Sequence, residues 1–174
     1  MLVLETARLQ LRHLEPDDLD ALYELYRDPE IRRGFPDGTL TREQTRQEIE
    51  WFRHGHRQHP TLGLWATIDK ASGRFIGRCG LLPWTLEGRF EVELAYLLGK
   101  HWWGRGLASE AARGIARHAH EVLGLQRLVS LVMPGNEASV RVATAVGMHF
   151  EREVVDEWGA SAMYAMALPP ADPA

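Results

Sequence analysis

The chain has 174 residues, a length suited to one domain with one sizeable core. Lys and Arg number 20 against 24 Asp and Glu, a net charge of −4, so the basic excess that nucleic-acid binding draws on is missing and no nucleic-acid partner is expected. The one cysteine, Cys79, leaves no internal disulfide, and neither a signal peptide nor an apolar run of membrane-spanning length is seen, so a cytoplasmic place with no membrane partner is expected.

Val3 to Leu14 alternates apolar and polar residues and predicts a strand. Pro16-Asp17-Asp18 opens a helix with acids in its first turn, and Asp28-Pro29 ends it. Gly34 to Gly38 is a loop that carries Phe35. Thr41 with Gln44 three residues on forms a capping box, and the helix it starts is predicted to run to about Arg57. Leu62 to Asp69 and Arg74 to Leu82 are strands joined by the turn Lys70-Ala71-Ser72-Gly73, hence a hairpin. A loop, Pro83 to Arg89, leads to the strand Phe90 to Leu98. After Gly104, apolar residues at 107, 111, 115, 119 and 122 mark one face of a long helix packed on a sheet. Gly114 inside that helix costs roughly 1 kcal/mol against Ala and points to close packing on a strand. Arg127 to Met133 reads as a buried strand, Asn136 caps a short helix ending at Gly147, and Met148 to Val155 and Ser161 to Leu168 are the last two strands. The order is β-α-α-β-β-β-α-β-α-β-β. The fourth and fifth strands flank a helix and are therefore parallel, joined by a right-handed crossover. Residues 1–168 read as a single domain and 169–174 as a frayed tail.

The turn Trp102-Trp103-Gly104-Arg105-Gly106-Leu107-Ala108-Ser109 stands between a strand and a helix. Backbone N–H groups there have no intrahelical partner, the helix dipole adds positive charge, and the glycines let a ligand approach, so the turn is a phosphate cradle. A dinucleotide fails the context test. Ser109 stands where a third Gly or Ala belongs, and the next strand, Leu128 to Met133, carries no acid for a ribose. A nucleotide P-loop fails too, because no Gly-Lys-Ser/Thr follows.

Four stretches in order resemble the GNAT superfamily of N-acetyltransferases, and within it the ribosomal-protein N-terminal acetyltransferase-like group. They are Glu5 to Arg12 with Pro16-Asp17-Asp18, then Gly77-Arg78-Cys79-Gly80-Leu81. Next comes Glu93 to Leu98 running into Trp103 to Ala111, and last Asn136-Glu137-Ala138-Ser139 with Gly147-Met148. The resemblance covers nearly the whole chain. It implies an α+β fold, an α/β/α sandwich on a mixed, mostly antiparallel sheet of about seven strands, splayed at the parallel pair. It also implies acetyl-CoA as co-substrate and no metal. Departures are His101 three residues before Gly104, Met148 for Phe, and Ala143 where many members carry a Tyr that protonates the departing thiolate.

Acetyl transfer to an amine needs the reactants held together, the amine deprotonated, an oxyanion donor and, for the thiolate, a proton. The resemblance implies pantetheine lying in the splay, with a backbone N–H of Leu97 or Leu98 at the thioester oxygen and Trp103, Gly104, Arg105, Gly106, Leu107, Ala108, Ser109 and Asn136 around the donor. Glu93 is the candidate base, acting through a water and expected to point apart from Glu91 and Arg89. Ser139 is the candidate for donating a proton to the thiolate or for holding the pantetheine. Phe35, Trp84 and Tyr164 are candidate acceptor contacts. The acceptor is expected to be a small-molecule amine or a protein N-terminus, and the apolar last strands are compatible with a homodimer. His54, His56 and His59 do not predict a metal site, since residues two apart on a helix face different sides and Pro60 breaks the run. The rival expectation is a non-catalytic acyl-CoA-binding or sensing domain of the same fold.

Overall fold

A computed structural model describes residues 1–169. Of the expected tail, residues 170–174 lie outside the described residues. The chain runs β1 (Leu2–Glu5), β2 (Leu9–His13), α1 (Leu19–Tyr26), α2 (Pro29–Arg32), α3 (Arg42–Phe52), β3 (Gly63–Asp69), β4 (Phe75–Leu86) and β5 (Arg89–Leu98). It continues with α4 (Leu107–Glu121), β6 (Arg127–Val132), α5 (Glu137–Val146), β7 (His149–Asp156) and β8 (Gly159–Ala167). One eight-stranded sheet results, in the order β1-β2-β3-β4-β5-β6-β8-β7, antiparallel except between β5 and β6.

The first expected strand is two. Thr6 turns the chain, its N–H donating to the Leu9 carbonyl at 2.9 Å and its Oγ1 accepting from the Leu9 N–H at 3.1 Å. β1 then folds back on β2 with Leu4 opposite Leu11, which makes eight strands rather than seven. Asp28 does more than end α1: its carboxylate accepts from the Glu30 and Ile31 N–H groups and starts the short α2. The Thr41–Gln44 capping box forms, but α3 stops at Phe52 rather than near Arg57.

β4 runs on through the expected loop to Leu86, and the connection shrinks to Glu87 and Gly88, both with positive φ (48° and 79°) as a two-residue hairpin turn requires. Pro83 is tolerated because β3 ends opposite Leu81, so no strand on that side lacks the missing N–H.

α1 to α3 cover one face of the sheet, burying Leu14, Leu22, Tyr26, Ile49, Phe52 and Leu97 together. α4 covers the other with Leu107, Ala111, Ile115 and Ala119, all buried against Leu9, Leu11, Trp65 and Leu94. Each fully buried Leu or Ile there contributes about 2 kcal/mol. A third apolar group, Leu86, Val129, Val154, Met163 and Ala165, occupies the β6–β8 end. Among the described residues no helix is long and apolar enough to cross a membrane.

Candidate active site

α4 is preceded by Gly106 as its N-cap, whose φ of 74° lies in the left-handed region, two residues after Gly104 at 72°. The turn leaves the amides of Gly104, Arg105, Gly106, Leu107, Ala108 and Ser109 without an acceptor among the described residues; the first paired one is Glu110, donating to Gly106 O. That row of free donors at a helix start suits a diphosphate. Glu110 sits in the first helical turn, where a carboxylate would repel an anion, but it is neutralised. It accepts from Thr6 Oγ1 at 2.6 Å, from the Arg8 N–H at 2.8 Å and from Arg8 Nε at 2.6 Å. Burial would push its carboxyl up; the hydrogen bonds from Thr6 and Arg8 outweigh that and hold it low. Arg8 Nη1 also donates to Arg105 O at 3.0 Å, tying the β1–β2 turn to the cradle. Trp102 packs into the core, while Trp103 is exposed and donates from Nε1 to Leu98 O at 2.8 Å. Arg105 turns its guanidinium over the Trp102 ring at 5.1 Å.

The cradle lies at one end of an opening in the sheet. β5 and β6 share a single register pair, Glu93 with Val129, and diverge beyond it. The hairpin register fixes which groups face the opening. Gly99 N–H donates to Ile76 O, so odd residues of β5 point their amides at β4 and even ones away from it. The amide of Leu97 therefore faces Arg78 across the hairpin, and those of Tyr96 and Leu98 face the opening. On β6 the bond from Leu168 N–H to Gln126 O sets the matching phase, and Leu131 faces the opening.

Side chains take over where the ladder fails. The Glu93 carboxylate accepts from the Leu131 N–H at 3.3 Å and from Trp84 Nε1 at 2.6 Å. Ser130 Oγ donates to Leu94 O at 3.4 Å. Burial pushes the Glu93 carboxyl up, against the hydrogen bonds from Trp84 and Leu131 and the Arg78 cation. Glu91 shares the face of Glu93, as residues two apart on a strand must, contrary to expectation. It is only 4% exposed and spent on an ion pair with Arg127 at 3.0 Å.

On the opposite face of the opening stands Tyr96, which sequence reasoning quoted only as part of a strand. Its hydroxyl lies 2.9 Å from both the carbonyl oxygen and Oγ of Ser139, on the first turn of α5. Burial pushes the phenol up, against hydrogen bonds from Ser139 and Ser130, so it stays protonated at neutral pH. Asn136 caps α5 by accepting the Ser139 N–H at 3.2 Å. The α2–α3 loop crosses to this cap: a Cβ on Gly34 would stand 2.4 Å from Asn136 Nδ2. Phe35 of that loop lies over the Arg32 and Arg78 guanidinium groups, 4.3 and 5.2 Å away, on the Glu93 side of the sheet.

Trp84 and Phe35 thus lie on the face of Glu93. Tyr164 does not. It pairs with Ser130 in register, which places it on the other face, against Phe150 and the α4–α5 core. Cys79 is fully buried with its thiol pushed up by burial, a core residue. Among the described residues no group of three His, Cys, Asp or Glu side chains is placed to hold a metal ion.

The family model described as an acetyltransferase (GNAT) domain matches residues 8–149. The chain belongs to the GNAT acetyltransferase family. It is 32% identical over 152 residues to the uncharacterized protein YkkB of Bacillus subtilis (strain 168), with 87% of each chain covered. It is 30% identical over 152 residues to the FsC-acetyl coenzyme A-N(2)-transacetylase of Aspergillus fumigatus, covering 83% of this chain and 64% of that one. A solved GNAT-family acetyltransferase from Bacillus anthracis shares the fold, with a TM-score of 0.82 at 22% identity over 96% of this chain and 98% of that one. This GNAT chain is an acyltransferase, and the family's acyl donor is acetyl-CoA.

Proposed function

We propose that the enzyme moves an acetyl group from acetyl-CoA to a primary amine, on a small molecule or a protein N-terminus, by direct attack in a ternary complex. The observation that carries this is the opening between β5 and β6. It starts at a row of free amides, and it carries a half-buried carboxylate on one face and a protonated phenol–hydroxyl pair on the other. The diphosphate would rest on the amides from Gly104 to Ser109. The pantetheine arm would run between the strands as a substitute strand, bonding to the Tyr96 and Leu131 rows. The Leu98 N–H is the donor aimed at the thioester oxygen.

Glu93 takes the ammonium proton through a water. The nitrogen lone pair then attacks the thioester carbon, the C–N bond forms, and the C–S bond breaks as the tetrahedral oxyanion collapses. The thiolate leaves with a proton from the Tyr96–Ser139 pair, the second proton shed by the acylated nitrogen replaces it through solvent, and the proton on Glu93 returns to solvent. The Tyr96 phenol thereby fills the role left open at Ala143, which is buried and apolar. Within the family we place the chain nearest the ribosomal-protein N-terminal acetyltransferase-like group, on the order and spacing of the four motifs, acting in the cytoplasm.

The test is thiol release from acetyl-CoA across an amine panel that includes peptides with different first residues. Release with at least one amine is the expected result. Tight coenzyme A binding with no release for any amine would mean that the site holds the donor and does no chemistry.

A further inference from the structure

The acceptor side holds two buried arginines, and only one of them is satisfied. Arg32, 2% exposed, donates from Nε to Gly38 O at 2.7 Å and from Nη2 to Asp37 at 2.5 Å. Arg78 is 4% exposed and makes one hydrogen bond among the described residues, from Nε to the Tyr26 hydroxyl at 2.8 Å. Tyr26 in turn donates to Glu48, so that carboxylate is engaged with the phenol and not hydrogen-bonded to the guanidinium. Nη1 of Arg78 is buried without any partner, and Nη2 has no acceptor among the described residues. The neighbouring Tyr26 and Glu48 keep the buried cation charged, but they leave the two fork nitrogens without a hydrogen-bond acceptor among the described residues. The fork is planar and pre-shaped for two oxygens of one anion.

The place of the fork decides what that anion belongs to. Arg78 pairs with Leu97 and shares the sheet face of Glu93, four residues along β5, or about 13 Å of strand. The Arg78 cation is near enough to pull on the Glu93 ionisation. Phe35 lies over the guanidinium from a loop whose Gly34 closely approaches Asn136, the cap of α5.

We propose that Arg78 binds an anionic group of the acceptor, so that the amine acetylated belongs to a small molecule that also carries a carboxylate or a phosphate. The inference rests on the acetyl-transfer reading of Glu93 and adds a substrate class to it. An acceptor whose second charge is positive, such as a diamine, would set that charge against Arg78 and Arg32 and is selected against.

Acceptors in matched pairs test this by kcat/KM from thiol release: an amino acid against its carboxamide, 2-aminoethyl phosphate against ethanolamine, and a diamine. The anionic member of at least one pair is expected to lead by about 10- to 100-fold, the worth of a charge-assisted hydrogen bond. The pair with the larger ratio tells carboxylate from phosphate. Arg78→Lys keeps the charge and removes the fork; it is expected to erase most of that ratio. Should Arg78→Lys fail to fold, the ratios of the native enzyme decide alone. Equal rates within both pairs, a lead for the diamine, or an equal loss for all amines in the variant would each overturn the proposal. Transfer without anionic preference refutes this inference alone, whereas no transfer to any amine removes the acetyl-transfer reading as well.

Discussion

Glu93→Gln separates a base from a carboxylate that merely closes a gap in the sheet. The substitution keeps an amide oxygen for one of the two donors, Trp84 Nε1 at 2.6 Å or Leu131 N–H at 3.3 Å, and turns an NH2 against the other. A lowered stability of about 1–3 kcal/mol follows from that mismatch on either reading. Catalysis tells them apart. A lysine-like amine with a pKa near 10.4 is unprotonated in roughly one molecule in a few thousand at pH 7. Without a base only that fraction reacts, so kcat/KM is expected to fall by about 10²- to 10³-fold at neutral pH. The variant's rate should then climb about tenfold per pH unit toward the amine pKa, while the native enzyme levels off once Glu93 is ionised. The ratio of the two therefore closes at high pH. Parallel pH profiles with a constant ratio would refute the base assignment. Stability adds a second sign. Burial holds the Glu93 carboxyl above its ordinary value in the folded state, so the native protein binds that proton more tightly than the unfolded chain does. Native stability thus falls as pH rises from the ordinary carboxylate range through the raised value, and Glu93→Gln should lack that fall.

Three further outcomes are expected. Tyr96→Phe should lower kcat by about 100-fold, leave the KM for acetyl-CoA nearly unchanged and remove the basic limb of the kcat profile, with Ser139→Ala a milder loss; unchanged kcat in both variants would exclude the pair as proton source. Gly106→Ala should lower stability by about 1–2 kcal/mol in denaturant melts, since its φ of 74° is left-handed while the added methyl meets only Arg8 at 3.7 Å; coenzyme A should rescue the native protein's melting temperature more than the variant's. Arg127→Met strands the buried Glu91 and should lower stability by about 3 kcal/mol, with no change in coenzyme A affinity measured by calorimetry.

The cradle was legible because it is local: a strand, two glycines one residue apart and a helix announce free amides without any tertiary knowledge. Glu93 was a candidate from the strand that leads into that turn, and its carboxylate stands at the β5–β6 opening. The break in the first strand was not, because Thr6-Ala7-Arg8 contains no Gly or Pro, and Thr6 turns the chain with its own hydroxyl. Pro83 misled in the other direction, since its harm depends on whether a neighbouring strand reaches it, and β3 stops short. Which face Tyr164 takes was not readable, because its side is set by pairing with β6, a contact between strands about 35 residues apart in the chain. Tyr96 and Arg78 were passed over as strand residues. What marks them out is a partner held on α5 in one case and a missing partner in the other, and neither is a property of sequence spacing.

Gly114 links the helix behind the cradle to the stability of the whole site. Helix propensity alone says that Gly114→Ala should stabilise α4 by roughly 1 kcal/mol. The packing says the opposite. A methyl there would stand 2.7 Å from Thr6 Cγ2 and 3.3 Å from Leu4 Cδ1. Thr6 has no easy retreat, because turning its side chain breaks both the 2.6 Å bond to Glu110 and the 3.1 Å bond from the Leu9 N–H. Overpacking of this kind costs about 1–3 kcal/mol, so the net change is expected to be destabilising. The β1–β2 turn also holds Glu110 and Arg105 O through Arg8, so the displacement should reach the cradle and weaken coenzyme A binding together with stability. Thr6→Ser removes the offending methyl and keeps the hydroxyl. Added to Gly114→Ala it should restore both quantities, leaving the double variant near the native protein. A single Gly114→Ala variant more stable than the native protein in urea would show that β1 yields, and that the glycine is not required by the approach of the strand to the helix.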